Sequence, residues 1–175
     1  CRSQEVLARE LGSSEWAATQ LRTIWGVPPA LELEAEYRLH QLLAQLAGVG
    51  AIGMARPVGP GGIAVALAKA CLSRSVEAPE PAECGLSVNL PEAIEPVLAL
   101  FGERGGEVIV TSAAANLTAT ASAAGLEALE LGTTRADGFE IAIGGRAVVK
   151  REMAALAQAW NDGLVKFFRT ETEVA

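Results

Sequence analysis

The apolar and polar positions along the chain change period several times, and each change marks an element. Ser13 and Ser14 can cap a helix through "EWAATQLRTIWG", which stops at Gly26 and the Pro28-Pro29 pair. "LELEAEYRLHQLLAQLAGVG" has the clearest helical period. Leu39, Leu42, Leu43 and Leu46 form its apolar stripe, and Gly48 and Gly50 close it. A short apolar strand, Ala51 to Ala55, then feeds a turn rich in proline and glycine. An Ala-rich helix, "GGIAVALAKAC", follows.

Residues 75–83, "SVEAPEPAE", are polar and proline-rich and read as a surface loop. "CGLSVNL" alternates Leu86, Val88 and Leu90, which suits a half-buried strand. Pro91 fits the first turn of a helix over "PEAIEPVLALFG". "EVIVTS" reads as a strand and "AANLTATASAAG" as a small-residue helix closed by Gly125. "LEALELGTT", "FEIAI" and "RAVVK" read as three strands, with turns at Ala136-Asp137-Gly138 and Gly144-Gly145. The last helix, about 151–168, carries Leu156, Trp160, Leu164 and Phe168 on one face, and the tail 171–175 should fray. The order predicts an α/β (α+β) domain with a mixed sheet and flanking helices. The β-α-β-α-β piece from Cys84 to Gly132 is compatible with a ferredoxin-like core.

Composition narrows the function classes. The chain has 175 residues, half of them hydrophobic, which suffices for one domain with a real core. A net charge of −7 repels phosphates on average and argues against nucleic acid as a partner. No apolar run is long enough to span a membrane. Cys1, Cys71 and Cys84 lack zinc-site spacing and read as reduced thiols of a cytosolic protein. An opening Cys1 in place of Met points to a fragment of a longer protein.

Candidate chemistry is sparse. His40 follows Glu36 by one helical turn, but no Ser or Cys nucleophile is tied to it by spacing, and a solvated helix residue is the plainer reading. Glu32, Glu34 and Glu36 fit a helix start, where negative charge is favoured, better than a metal cluster. Trp16, Trp25 and Trp160 are scattered packing residues, or contacts to a neighbouring domain. "RPVGPGG" runs into a helix, so its free backbone N–H groups can hold an anion. It lacks the Lys-Ser/Thr of a phosphate-binding P-loop, and a tight structural turn is the alternative.

Taken in order, several segments resemble the C-terminal domain of phosphoribosylformylglycinamidine synthase. "ELGSSEW" at 10–16 is similar to the family's E-L-G-G-S-E-Y, and "PPALELEAEYRLHQLL" at 28–43 to its P-P-x-L-D-L-E-x-E-K-R-L-x-x-L-L. "GGIAVALAKAC" at 61–71 is similar to G-G-L-A-V-A-L-A-E-x-x, and "LFGERGGEVIVT" at 100–111 to L-F-G-E-S-x-x-R-x-I-V-T. Order and spacing carry the likeness, not any single motif. The chain looks like the second of two such C-terminal domains. The resemblance implies a fold like the C-terminal domain of aminoimidazole ribonucleotide synthetase. The alternatives are a degenerate, non-catalytic scaffold domain, or another member of that superfamily: aminoimidazole ribonucleotide synthetase itself, selenophosphate synthetase or thiamine-monophosphate kinase.

The resemblance also implies a reaction: ATP activates an amide oxygen of formylglycinamide ribonucleotide, and ammonia from glutamine replaces it. ATP and magnesium then belong to upstream domains, with no cofactor or metal held here. The partners implied are those ATP-binding domains and a glutaminase subunit or domain. A 1–30 helical segment is expected to pack on the upstream part, with 31–170 as the domain proper; alone, the fragment can pair with a second copy.

Where the family reads A-H-D-V-S-D-G-G, this chain reads Ala55-Arg56-Pro57-Val58-Gly59-Pro60-Gly61-Gly62. The His, both Asp and the Ser are replaced by Arg56, Pro57, Pro60 and Gly59, and arginine cannot serve as a base near neutral pH. A substrate-contacting E-S-Q triplet of the family's first copy corresponds to Glu103-Arg104-Gly105, which keeps only the Glu. Ser14, Arg56, Gly61, Gly62 and Glu103 are therefore candidate substrate- or anion-binding residues, and no residue is assigned a catalytic role.

Overall fold

The computed structural model describes residues 11–72, 84–92 and 95–172, with the side chains of the last helix described to residue 163. Helix α1 spans Leu33–Gly48, β1 Met54–Pro57, α2 Gly62–Leu72, β2 Gly85–Leu90 and α3 Pro96–Phe101. Strand β3 spans Val108–Thr111, α4 Leu117–Ala123, β4 Gly132–Arg135, β5 Phe139–Ile143, β6 Arg146–Arg151 and α5 Met153–Thr172. This is the mixed α/β class that the pattern predicts. The chain divides into two compact units: residues 1–70 with 92–131, and residues 71–91 with 132–175.

The first unit holds a two-stranded antiparallel ladder of β1 and β3, in which Arg56 faces Ile109 and Pro57 faces Val108. Its core forms where α1 and α4 turn small and apolar faces inward. Leu42 and Leu46 are buried with Ala121, and Ala51, Ile52, Leu117, Leu126 and Ala128 pack against them. Leu39 and Leu43 complete the stripe as half-buried residues, as a helical period requires.

The second unit is built on a four-stranded sheet in the order β4-β2-β5-β6. β2 and β5 run parallel, and both outer pairs are antiparallel. Leu86, Val88 and Leu90 on β2 and Phe139, Ile141 and Ile143 on β5 are buried, so one face of these central strands carries the apolar load. β5 returns to β6 through Gly144 and Gly145, both at positive φ (57° and 81°), as a tight two-residue hairpin needs. The register shifts between Ile141 and Ala142, leaving Val148 as the extra residue of a bulge.

Several boundaries differ from the sequence expectation. The expected strand at 51–55 is displaced: Ala51 and Ile52 pack on the Leu42–Leu46 core, and the ladder takes 54–57 instead. The first helical segment is short, a π-helical turn Ala17–Leu21 that ends where Arg22 adopts φ 52°. α3 begins at Pro96, not Pro91; both prolines suit a helix start. Of "LEALELGTT" only Gly132–Thr134 enter β4, because Leu126 and Ala128 pack on the first unit's core. α5 continues through Thr172, past the expected start of a frayed tail, and Trp160 on it is exposed. The expected surface loop at 75–83 and the side chains of Leu164 and Phe168 lie outside the described residues. The β-α-β-α-β stretch from Cys84 to Gly132 supplies β2 to one sheet and β3 to the other.

Candidate functional site

The turn between β1 and α2 is shaped by its glycines. Gly61 and Gly62 have φ +89° and +68°, a region that favours residues without a Cβ. A Cβ on Gly62 would lie 2.6 Å from the Leu100 carbonyl oxygen and from the Phe101 Cα. The start of α2 therefore sits directly on the end of α3, and only glycine allows that approach. The Gly62 N–H donates to the Gly59 carbonyl at 2.9 Å, closing the turn.

The adjoining donor has an occupant from the chain itself. Glu103 Oε1 accepts from the Gly61 N–H at 2.8 Å, and the same oxygen accepts from the Glu15 N–H at 2.7 Å. A carboxylate thus lies at the start of α2, where the helix dipole favours negative charge by about 0.3–1 kcal/mol. A hydrogen bond to an ionised acceptor is worth about 1.5–3 kcal/mol where it is shielded, and less at the exposed Glu15 N–H, so the pair is a local tie of about 2 kcal/mol.

Ser14 is buried and faces its own backbone. Its hydroxyl donates to the Leu11 carbonyl and accepts from the Ala17 N–H at 3.3 Å, so it caps the turn that follows. Ser13 donates to the Val27 carbonyl at 3.1 Å. Arg56 is half-buried on β1, in the ladder and not in the loop. Arg104, beside Glu103, is paired with Glu107 at 3.2 Å. The structure thus brings Glu103 and Gly61 together through a direct bond, and holds Gly62 in place beside them.

The link from Glu103 to Glu15 escapes a reading of local pattern. Both segments carry the family resemblance, "ELGSSEW" and "LFGE", but their contact spans 88 positions. The glutamate that the "LFGE" segment keeps marks Glu103 as a candidate; nothing in the sequence marks its partner.

The other candidates stand apart. His40 Nε2 lies 3.7 Å from Glu36 Oε2 on an exposed face of α1, and Glu34 pairs with Arg38 at 3.5 Å. Glu34 and Glu36 thus each pair with a residue one turn along the same helix. Among the described residues no group of three His, Cys, Asp or Glu side chains could hold a metal ion. The turn also offers no Lys-Ser/Thr, and a carboxylate already fills its Gly61 donor, so these residues do not fit a magnesium–nucleotide group. An open groove of about 520 Å³ between residues 50–53 and 111–114 is lined without a charged side chain. No helix among the described residues is long and apolar enough to cross a membrane.

The fold defines the class first. A Thermotoga maritima PurL structure complexed with ATP matches with a TM-score of 0.57 at 20% identity, over 71% of this chain and 22% of that one. The PurLQS structure from the same organism matches with a TM-score of 0.57 at 19% identity, over 83% of this chain and 24% of that one. The chain therefore has the α/β fold of a domain found in these proteins. The sequence carries the relation further. The chain is 31% identical over 170 residues to the phosphoribosylformylglycinamidine synthase subunit PurL of Anaeromyxobacter sp. strain K, covering 94% of this chain and 22% of the relative. It is a relative of that synthase subunit along nearly its whole length, and it spans about a fifth of the length of the curated relatives it matches. No protein-family model matches the chain.

Proposed function

We propose that the chain works as one domain of an ATP-dependent phosphoribosylformylglycinamidine synthase of purine biosynthesis. The reaction converts formylglycinamide ribonucleotide, ATP and ammonia from glutamine to formylglycinamidine ribonucleotide. The observation that carries this reading is the similarity to PurL subunits over 94% of the chain. The domain's part is structural: it forms a wall of the substrate cleft, and other domains supply the ATP and magnesium site. The turn at 55–62 supports this division, because it has no His, Asp or Ser to move a proton. Arg56, half-buried on β1 just before the turn, is the one charged side chain of the 55–62 stretch and the candidate in this reading for a substrate phosphate.

The partners in this reading are the ATP-binding domains of the same enzyme and a glutaminase. They would cover the apolar side chains that Ile24, Leu31 and Leu33 now expose. The reading brings a cytoplasmic location with it, in keeping with free thiols at Cys71 and Cys84. The same stripped turn favours one alternative, a scaffold domain with no part in catalysis.

The test is an exchange of domains. A PurL subunit in which the matching region is replaced by this chain should form formylglycinamidine ribonucleotide at a measurable rate. A folded, ATP-binding chimaera with no synthase activity would favour the scaffold reading.

A further inference from the structure

Turns that run into helices through glycines at positive φ are suited to holding anions, because the first N–H groups of the helix lack partners within it. In this chain the anion is built in. One oxygen, Glu103 Oε1, takes the N–H of Gly61 at 2.8 Å and the N–H of Glu15 at 2.7 Å. The two donors are 46 positions apart along the chain, as the separations of 88 and 42 from Glu103 require. Gly61 is buried, and Gly62 is seated against Leu100 and Phe101, the residues that lead into Glu103. The neighbouring guanidinium, Arg104, is engaged with Glu107.

We propose that the Glu103 carboxylate is the resident anion of this turn: it latches the 11–16 segment and the start of α2 to one oxygen and keeps outside oxyanions from Gly61. The glycine geometry of an anion cradle is kept, and its use is internal. A free phosphate would have to displace a tethered carboxylate whose ordering cost is met once, on folding, and would meet its charge on approach. The same carboxylate would be costly to place there without donors, so the two N–H groups and the glutamate depend on one another. The inference is independent of whether the chain serves in the synthase.

The experiment uses the full chain and inorganic phosphate as the probe, read by 1H–15N correlation spectra and thermal melts. In the wild type, the Glu15 and Gly61 amides should stay in place as phosphate is added to tens of millimolar. In Glu103→Ala the melting temperature should fall by about 5 °C. Phosphate should then move both amides together and saturably, and recover part of the loss. Glu103→Gln keeps the shape and removes the charge. It should fold, with both amides displaced from their wild-type positions, and it decides the matter if the alanine variant does not fold. Saturable phosphate shifts at both amides in the wild type would overturn the proposal. So would a folded Glu103→Ala that ignores phosphate, or a Glu103→Gln with both amides unmoved.

Discussion

Trp16 lies on Phe101, with ring centroids 6.4 Å apart and planes 24° from parallel. Like the Glu103 bond to Glu15, this stack joins the "ELGSSEW" and "LFGE" segments, far apart along the chain. Trp16→Ala removes a half-buried ring and its aromatic partner contact, and should cost about 1–3 kcal/mol in urea unfolding. Ile24→Ala, at an exposed position in the same region, should change stability by no more than about 0.5 kcal/mol. Equal effects for the two would remove the stack as a source of stability.

Gly62 and Gly48 separate packing from helix propensity. A Cβ on Gly62 would meet backbone at 2.6 Å with φ +68°, whereas nothing lies within 4 Å of one on Gly48. Gly62→Ala should therefore destabilise by about 2 kcal/mol or more. Gly48→Ala, at the end of α1, should be neutral or stabilise by about 0.5–1 kcal/mol. Thermal melts of the two variants give the comparison directly.

Cys71 is a buried thiol. Burial, and then the nearby Cys84, push it from the ordinary value of 9.0 up to about 11. Its folded value lies above its unfolded one, so the folded chain keeps the proton longer. The stabilising contribution is complete below pH 9 and is lost as pH rises towards 11. Stability should fall across that window, and less so in Cys71→Ala or Cys71→Ser after their own offset is subtracted. At pH 8 an alkylating agent should modify half-buried Cys84 well before Cys71.

The legible parts of the fold were those with a period. α1 was readable because Leu42 and Leu46 repeat at a helical spacing, and β2 and β5 because their burial alternates. The strand falls at 54–57 and not at 51–55 because Ala51 and Ile52 are apolar for the sake of the α1 core, not a ladder. Pro91 and Pro96 satisfy the same rule for a helix start, so local chemistry could not choose between them. The candidate site was legible in its residue types and not in its contacts. Gly61, Gly62 and Glu103 stood out, but the bonds that define Glu103 span 42 and 88 positions, which no local pattern encodes.

The segment before α1 and its first turn expose Leu21, Ile24, Val27, Leu31 and Leu33 among the described residues. Such a run is suited to contact with another surface. Sedimentation of the isolated chain should show concentration-dependent association. Ile24→Ser combined with Leu33→Ser should reduce it with little loss of stability. A chain that stays monomeric at high concentration would argue that the run needs no cover.

We propose the chain as one working part of a synthase, unable to act alone. This claim is tested most directly by assaying formylglycinamidine ribonucleotide formation from formylglycinamide ribonucleotide, ATP and ammonia. One sample holds the purified chain, a second a PurL subunit shortened by the matching region, and a third the two together. The expected result is no product in either single sample and recovered synthesis in the mixture. Product from the chain alone, or a stable complex of the two parts that forms none, would contradict the claim.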